Sequence, residues 1–298
     1  MQKDIGIIIP HKGIGDLVFH RNFIKSIHDH HKKRVILFVN KSTKANYIYK
    51  TNKHIKKIIF IDLKRPIKIF YLFKILNLIY CLIKYNFDNL YYTGNSKWHK
   101  IAFKIISVYK KNKLFFFKNK QKYIITFLNY YLKSLNIRNT GNFNFKVDYE
   151  TNKLFIKKIS NLEKPWAFLS IDTSEDQIHI PDNLLIQIIG KLKKKYKNIF
   201  INTNNKNSNK LNFLNEKFII KTNTLNISKI NYIIKNSNLF IGNESGPAVI
   251  ASVFNRKSII FLNRNVIAES SKMKKNINRN YFLINKVLDK SSLILDII

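Results

Sequence analysis

IGIIIPHKGIGDLVF (residues 5–19) changes character twice. Ile5 to Ile9 is a short continuous apolar run, the pattern of a strand covered on both faces rather than on one. Pro10 ends it. HKGIGD then places two of the chain's eight glycines in a turn that residues with a Cβ would resist, and where a ligand can approach the backbone closely. From about Leu17 the sequence reads as a helix running to His28. Buried strand, glycine turn and helix make the first step of a parallel α/β sheet, and a fold of that kind has to repeat the step.

The step repeats along the chain. RVILFVN (34–40), KKIIFID (56–62), DNLYYTG (88–94) and KLFFF (113–117) read as strands. Between and after them come helical stretches near 43–49, after Pro66, over 96–107 and within 123–135. From Asn136 to Lys164 the pattern loosens into polar sequence, which places a domain boundary near residue 150. WAFLSI (166–171) restarts it, followed by the amphipathic helix DNLLIQIIGKLKKKY (182–196) and the strands NIFINT (198–203) and KFIIKT (217–222). The helix ISKINYIIKNS (227–237), LFIG (239–242), a helix over 246–254 and SIIFL (258–262) complete the second set. Strands alternating with helices specify parallel sheets with helices on both faces. The sequence therefore predicts an α/β chain of two similar halves, with a cleft between them.

At 298 residues and 45% hydrophobic content the chain has material for packed cores. The single cysteine, Cys81, excludes an internal disulfide framework and a cysteine metal cluster. No export-signal pattern opens the sequence, and the expected location is cytoplasmic. The formal charge of +37 would ordinarily point to nucleic acid. Here Lys, Ile, Asn, Phe and Tyr, all with A/T-rich codons, are abundant together, while Gly (8), Pro (5) and Trp (2) are rare. A/T-rich coding accounts for much of that charge. The lysines are dispersed and no nucleic-acid-binding motif accompanies them, so specific nucleic acid is not an expected partner; anionic lipid or phosphate ligands fit better. PIKIFYLFKILNLIYCLIKY (66–85) is interrupted by Lys68, Lys74 and Lys84 and reads as a buried or amphipathic helix, with contact to a membrane surface as a second use.

Open α/β sheets bind ligands at the carboxyl ends of their strands. Three loops qualify. In HKGIGD, Lys12, Gly13 and Gly15 form a candidate phosphate or acceptor loop, and Asp16 stands at the helix start, where it can be a cap or a base. In GNESGPA (242–248), amides at the helix N-terminus and the Ser245 hydroxyl can hold a diphosphate, with Gly246 in the turn and Pro247 in the first helical turn. Glu244 suits a sugar or ribose hydroxyl better than an anion; a helix cap is its structural alternative. IDTSEDQIHIPD (171–182) offers the Thr173 and Ser174 hydroxyls, or is an ordinary polar loop. The histidines near the N-terminus lack metal-ligand spacing and read as a solvated helix end. Nucleophile-elbow, Walker and zinc-protease motifs are absent.

GIGD (13–16), the TS pair with the later Pro181, and GNESGPA in this order resemble glycosyltransferase family 9, the ADP-heptose:lipopolysaccharide heptosyltransferases and their relatives. The resemblance covers most of the chain in element order. It implies the GT-B architecture, two Rossmann-like doubly wound domains facing a cleft: residues 1–150 on the acceptor side, 151–283 on the nucleotide-sugar side, and 284–298 as a C-terminal helix packing back towards the N-terminal domain. It implies Asp16 as catalytic base, Thr173 and Ser174 near the donor phosphates, and Glu244, Ser245 and Gly246 around the nucleotide sugar.

The activity so implied is metal-independent, inverting transfer of a sugar, heptose among the candidates, from a nucleoside-diphosphate donor such as ADP-heptose to a lipopolysaccharide-like glycolipid. It calls for no separate cofactor and places the enzyme at the inner face of the cytoplasmic membrane. The sequence departs from the family at Val249, where a histidine is usual, at Ile178, where a donor-phosphate lysine is usual, and around Arg21 and Asn22, where a proline is common. The alternative these departures imply is a member that kept nucleotide-sugar binding or a partner role and lost transfer.

Overall fold

A computed structural model of the chain describes residues 3–49, 52–62, 68–94, 96–110, 113–116, 124–141, 152–171, 180–203, 217–222, 224–262, 279–283 and 286–298. The chain divides into two compact units, Met1–Lys146 and Val147–Ile298.

In the first unit β1 (Asp4–Ile9), β2 (Val35–Val39), β3 (Ile55–Phe60), β4 (Phe87–Tyr92) and β5 (Lys113–Phe116) form a sheet in the order β3-β2-β1-β4-β5. Every pairing is parallel; Ile7 lies opposite Leu37 on one side and Tyr91 on the other. The helices are α1 (Ile14–Phe19), α2 (Arg21–His31), α3 (Ala45–Tyr49), α4 (Lys68–Ile83), α5 (Lys97–Lys110) and α6 (Ile124–Ser134).

The adjacent residues Tyr91 and Tyr92 show why β4 is apolar on both faces. Tyr91 stacks on Phe115 and meets Phe23 of α2 edge-on, whereas Tyr92 packs against Phe103 of α5. Side chains alternate across a strand, so one face of the sheet is covered by α2 and α6 and the other by α4 and α5. Ile5, Ile7, Ile8 and Ile9 have no exposed surface, as their unbroken run requires.

The second unit repeats the plan with one more strand. β6 (Trp166–Ser170), β7 (Asn198–Asn202), β8 (Ile219–Lys221), β9 (Leu239–Asn243), β10 (Lys257–Leu262) and β11 (Arg279–Leu283) are ordered β11-β10-β9-β6-β7-β8, all parallel. Its helices are α7 (Lys153–Ser160), α8 (Asp182–Lys195), α9 (Ile227–Asn236), α10 (Gly246–Val253) and α11 (Ser291–Ile297).

Three features differ from the sequence reading. The first helix opens at Ile14 rather than near Leu17, and a turn at His20 separates α1 from α2. α7 occupies sequence read as loose; only Ile159 of it is buried while Leu154 is exposed, so its apolar stripe is too thin to register as a period. β11 was not foreseen, because Arg279 and Asn280 break any apolar run and the strand is an edge with a single neighbour. The C-terminal segment, expected as a helix packing back towards the N-terminal domain, buries Val287, Ile294 and Ile298 in the second unit's core, with α11 against α8. Lys257 Nζ ties it down by donating to the Ile297 carbonyl at 2.6 Å. Its apolar face shows that it must dock, but not on which surface.

The topology fixes where ligands are expected. In the first unit the chain leaves β1 for β2 and β3 on one side and returns to β4 on the other, so order reverses between β1 and β4. The second unit reverses in the same way between β6 and β9. The crevice at the carboxyl ends of such a strand pair is the usual ligand position of doubly wound sheets.

Candidate functional site

HKGIGD lies at the first reversal, directly after β1. Three hydrogen bonds from the neighbouring connection shape its entry: Asn40 Nδ2 donates to the Pro10 and His11 carbonyls at 2.8 and 3.0 Å, and Ser42 Oγ to the Lys12 carbonyl at 3.0 Å. Asn40 and Thr93 close β2 and β4 at the same edge of the sheet. Lys12 and Gly13 are exposed, Gly15 and Asp16 half-buried.

Asp16 sits in the first turn of α1, and its Oδ2 accepts the Gly13 amide at 3.2 Å. The cap geometry is therefore present. It uses one carboxylate oxygen, and Oδ1 meets no donor among the described residues. A half-buried carboxylate with one oxygen anchored and one open is the arrangement that both orients a base and leaves it a lone pair for a substrate hydroxyl.

One turn further on, His20 braces this helix from inside. It is fully buried, its Nδ1 is 2.7 Å from the Asp16 carbonyl, and its Nε2 is 2.9 Å from Thr93 Oγ1. A carbonyl can only accept, so Nδ1 carries the proton, while Nε2 meets a threonine hydroxyl that also reaches the Ile8 carbonyl at 3.1 Å. His11, 5.4 Å away between ring centres, bonds the Thr93 carbonyl through Nε2 at 3.2 Å. Tyr49 adds a further clamp, donating to the Leu17 carbonyl at 2.5 Å.

Burial, reinforced by His11 and opposed by the bond to Asp16, pushes the His20 imidazole down to about 3. Because its folded value lies below the unfolded one, its contribution to stability is complete above about pH 6.5 and is lost as pH falls towards 3. The unfolding free energy in urea is expected to drop about 2 kcal/mol between pH 7 and pH 5 from this residue, at ~1.4 kcal/mol per pH unit. His31 and His54 are also lowered by burial and titrate in the same sense. His20→Gln isolates the term: the same pH dependence in that variant would assign it elsewhere.

At the second reversal, β9 runs into GNESGPA. Gly242 lies against β6 so closely that a Cβ would stand 2.5 Å from the Ser170 carbonyl oxygen. Asn243 is fully buried and donates through Nδ2 to the Ile171 carbonyl at 2.5 Å, which joins the ends of β6 and β9. Glu244 is exposed, with its amide bound to Phe261 O at 3.0 Å; the cap position falls to Ser245. Ser245 makes no side-chain capping bond, and its buried hydroxyl has no partner among the described residues.

The first helical bond in α10 is Val249 N–H to Ser245 O at 3.1 Å. The amides of Gly246 and Ala248 precede it, Pro247 has none, and the helix dipole points its positive end at the same place. A buried hydroxyl without a partner is costly unless something completes it; Ser170 Oγ, at the end of β6, is a second such group. The unsatisfied Ser245 hydroxyl and the open amides at the start of α10 make a cradle suited to a phosphate-bearing ligand. Thr173, Ser174 and Ile178 lie outside the described residues. Val249 is buried in the second unit and is remote from any role as a proton-carrying group.

Of the histidines in the last turn of α2, His30 is exposed, as a solvated helix end requires, whereas His28 and His31 are half-buried. His28 and His54 meet edge-on at 4.6 Å, and donor atoms of His28, Asp29 and His54 lie within 4.8 Å of one another. Lys25 Nζ already neutralises Asp29 at 2.7 Å. The sequence reading missed His20, Asn40, Thr93 and Asn243. The one sequence signal for three of them is that a polar residue ends an otherwise apolar strand.

No family model matches the chain, and no curated protein sequence matches it. Solved structures do. A glycosyl transferase family 9 protein from Veillonella parvula superposes with a TM-score of 0.76 at 10% identity, covering 99% of this chain and 93% of that one. ADP-heptose lps heptosyltransferase II from E. coli gives 0.73 at 8% identity, covering 99% and 97%. E. coli heptosyltransferase WaaC with ADP gives 0.70 at 12% identity, covering 99% and 100%. With two doubly wound parallel sheets along nearly its whole length, the chain has the α/β fold of the GT-B heptosyltransferases of glycosyltransferase family 9.

Proposed function

We propose that the chain is a glycosyltransferase, and that it moves a sugar, heptose being the first candidate, from a nucleoside diphosphate to a lipopolysaccharide-like glycolipid. The observation that carries this reading is the unsatisfied Ser245 hydroxyl at the open N-terminus of α10, at the strand-order reversal where a diphosphate is expected. The solved structure of similar fold that holds ADP supports an adenine nucleotide as the first ligand to test.

In the reaction, an acceptor hydroxyl gives its proton to Asp16 Oδ1 as its oxygen attacks the anomeric carbon. The bond from that carbon to the diphosphate oxygen breaks with inversion, and the nucleoside diphosphate leaves with the bonding electrons. The amides of Gly246 and Ala248 and the Ser245 hydroxyl, with Thr173 and Ser174 added on the strength of the sequence resemblance, stabilise the charge on that leaving group. Lys12 and the Gly13 and Gly15 backbone line the acceptor's approach. The scheme assigns no step to a metal, and its setting is the cytoplasmic face of the membrane, where a glycolipid acceptor is presented.

The buried Val249 favours a second reading, a nucleotide-sugar-binding protein without transfer, because the position that carries a histidine in the family has no titratable group here. Thermal unfolding with ADP, UDP, GDP and their sugar conjugates tests both readings. A nucleoside diphosphate at 100 times its dissociation constant is expected to stabilise the protein by about 2.7 kcal/mol. Stabilisation with turnover on a glycolipid extract supports the transferase; stabilisation without turnover supports the binding protein; the absence of any shift overturns both.

A further inference from the structure

α4 and α5 cover one face of the first sheet side by side, and their inward residues, among them Leu78, Leu82, Phe103 and Ile106, belong to its core. Their outward residues are also apolar. On α4, Phe73, Leu76, Tyr80 and Ile83 follow one another at helical spacing and are 65%, 51%, 68% and 36% exposed. On α5, Ile101, Ile105 and Val108 do the same, with Val108 at 80%. Residues three and four apart share a helix face, so each helix presents a second apolar stripe that nothing among the described residues covers.

The charge on this layer has one sign. Neither helix contains an aspartate or glutamate. Lys84 and Lys104 are exposed, and Lys100 leans over the Phe116 ring. The acids nearest in sequence, Asp62 before α4 and Asp88 after it, are held by Lys74 at 2.6 Å and by Lys33 at 2.9 Å. No helix among the described residues is long and apolar enough to cross a membrane. An apolar stripe flanked by lysines without acids is the signature of a surface that lies in the interface of a bilayer and is drawn there by anionic headgroups.

We propose that the outer faces of α4 and α5 together form a docking surface for an anionic lipid bilayer. A second copy of the chain fits this surface less well, since it would oppose two lysine-bearing, acid-free faces. The proposal deepens the transferase reading by naming where the membrane that carries the acceptor would be met. It rests on different residues from the nucleotide cradle, so the two can fail separately.

Co-sedimentation of the full chain with phosphatidylglycerol–phosphatidylcholine vesicles, and with pure phosphatidylcholine vesicles, tests it. The chain is expected to bind the anionic vesicles, and the variant Phe73→Ser/Tyr80→Ser/Val108→Ser to bind them at least tenfold more weakly, with the thermal midpoint within a few degrees of the parent. That variant keeps all 54 lysines and arginines, so undiminished binding would mean that bulk charge alone is at work and would overturn the proposal. Val108→Glu, at the most exposed of these positions, is the single-site check and is expected to weaken binding in the same direction. A dimer in sedimentation equilibrium that the triple variant converts to monomer, without vesicle binding by the parent, would assign the surface to a second copy instead. The vesicle result does not depend on whether ADP binds.

Discussion

Asp16→Asn is expected to lower sugar transfer by about 10²–10⁴-fold, the range associated with loss of a general base and equivalent to ~2.7–5.5 kcal/mol of barrier. The substitution separates the two things Asp16 can do. A carboxamide oxygen can still accept the Gly13 amide, which now bonds Oδ2 at 3.2 Å, so the turn keeps its shape. What disappears is the proton acceptor and one negative charge in the first turn of α1, whose interaction with the helix dipole is worth about 0.3–1 kcal/mol. Thermal stability should therefore fall only slightly, and stabilisation by ADP should be unchanged. Asp16→Ala, which also removes the bond to Gly13, should lose activity to the same degree and stability further. Transfer by the asparagine variant within threefold of the parent would leave Asp16 as a cap and nothing more.

Gly242→Ala should give the largest loss of stability of any single methyl added to the chain's binding loops. The new Cβ would stand 2.5 Å from the Ser170 carbonyl oxygen and 2.9 Å from its Cβ. Ser170 lies opposite Gly242 in the β6–β9 ladder, so relief requires the two central strands of the second sheet to part. Overpacking of a well-filled interior typically costs about 1–3 kcal/mol, and a clash with backbone belongs at or above the top of that range. For a protein of this size about 3 kcal/mol corresponds to a midpoint roughly 6–12 °C lower. Nucleotide binding should be lost in parallel, because the same movement displaces Asn243 and the turn before α10. Gly190→Ala is the matched control: at this exposed position of α8 its Cβ would meet nothing within 4 Å, and helix propensity predicts a gain of about 0.5–1 kcal/mol. A Gly242→Ala protein as stable as the parent would mean that the strand pair is far more compliant than close packing allows.

The parts of this fold that were legible in the sequence are those where burial and local pattern coincide. Ile5–Ile9 and Trp166–Ser170 are covered on both faces, so composition alone announces them, and the glycines after β1 and in the turn after β9 mark the loops a ligand can approach. α7 and β11 were illegible because their few buried residues are diluted by lysine, arginine and asparagine. The brace behind Asp16 was illegible for a different reason. His20 acquires its meaning only from Thr93, 73 residues away, and a histidine followed by an arginine gives no local hint that it is sealed from water. The second cradle was half legible: GNESGPA identifies the turn, but the unsatisfied hydroxyls of Ser170 and Ser245 emerge only when β6 and β9 are side by side.

The reversal of strand order also sets a schedule for synthesis. In each unit the strand made first becomes an inner one, and its second neighbour is the fourth strand to be made. β1 can pair with β2 early, yet Asp4 meets Phe87 only after β2, β3 and α4 have been made. At ribosomal speeds of about 5–20 residues per second, the open edge of β1 waits roughly 4–16 s for its partner. An apolar strand with one bare edge is the template on which chains pair wrongly with one another. The nascent first unit is therefore most exposed to chaperones, and to aggregation, in the interval before residues 87–92 leave the ribosome.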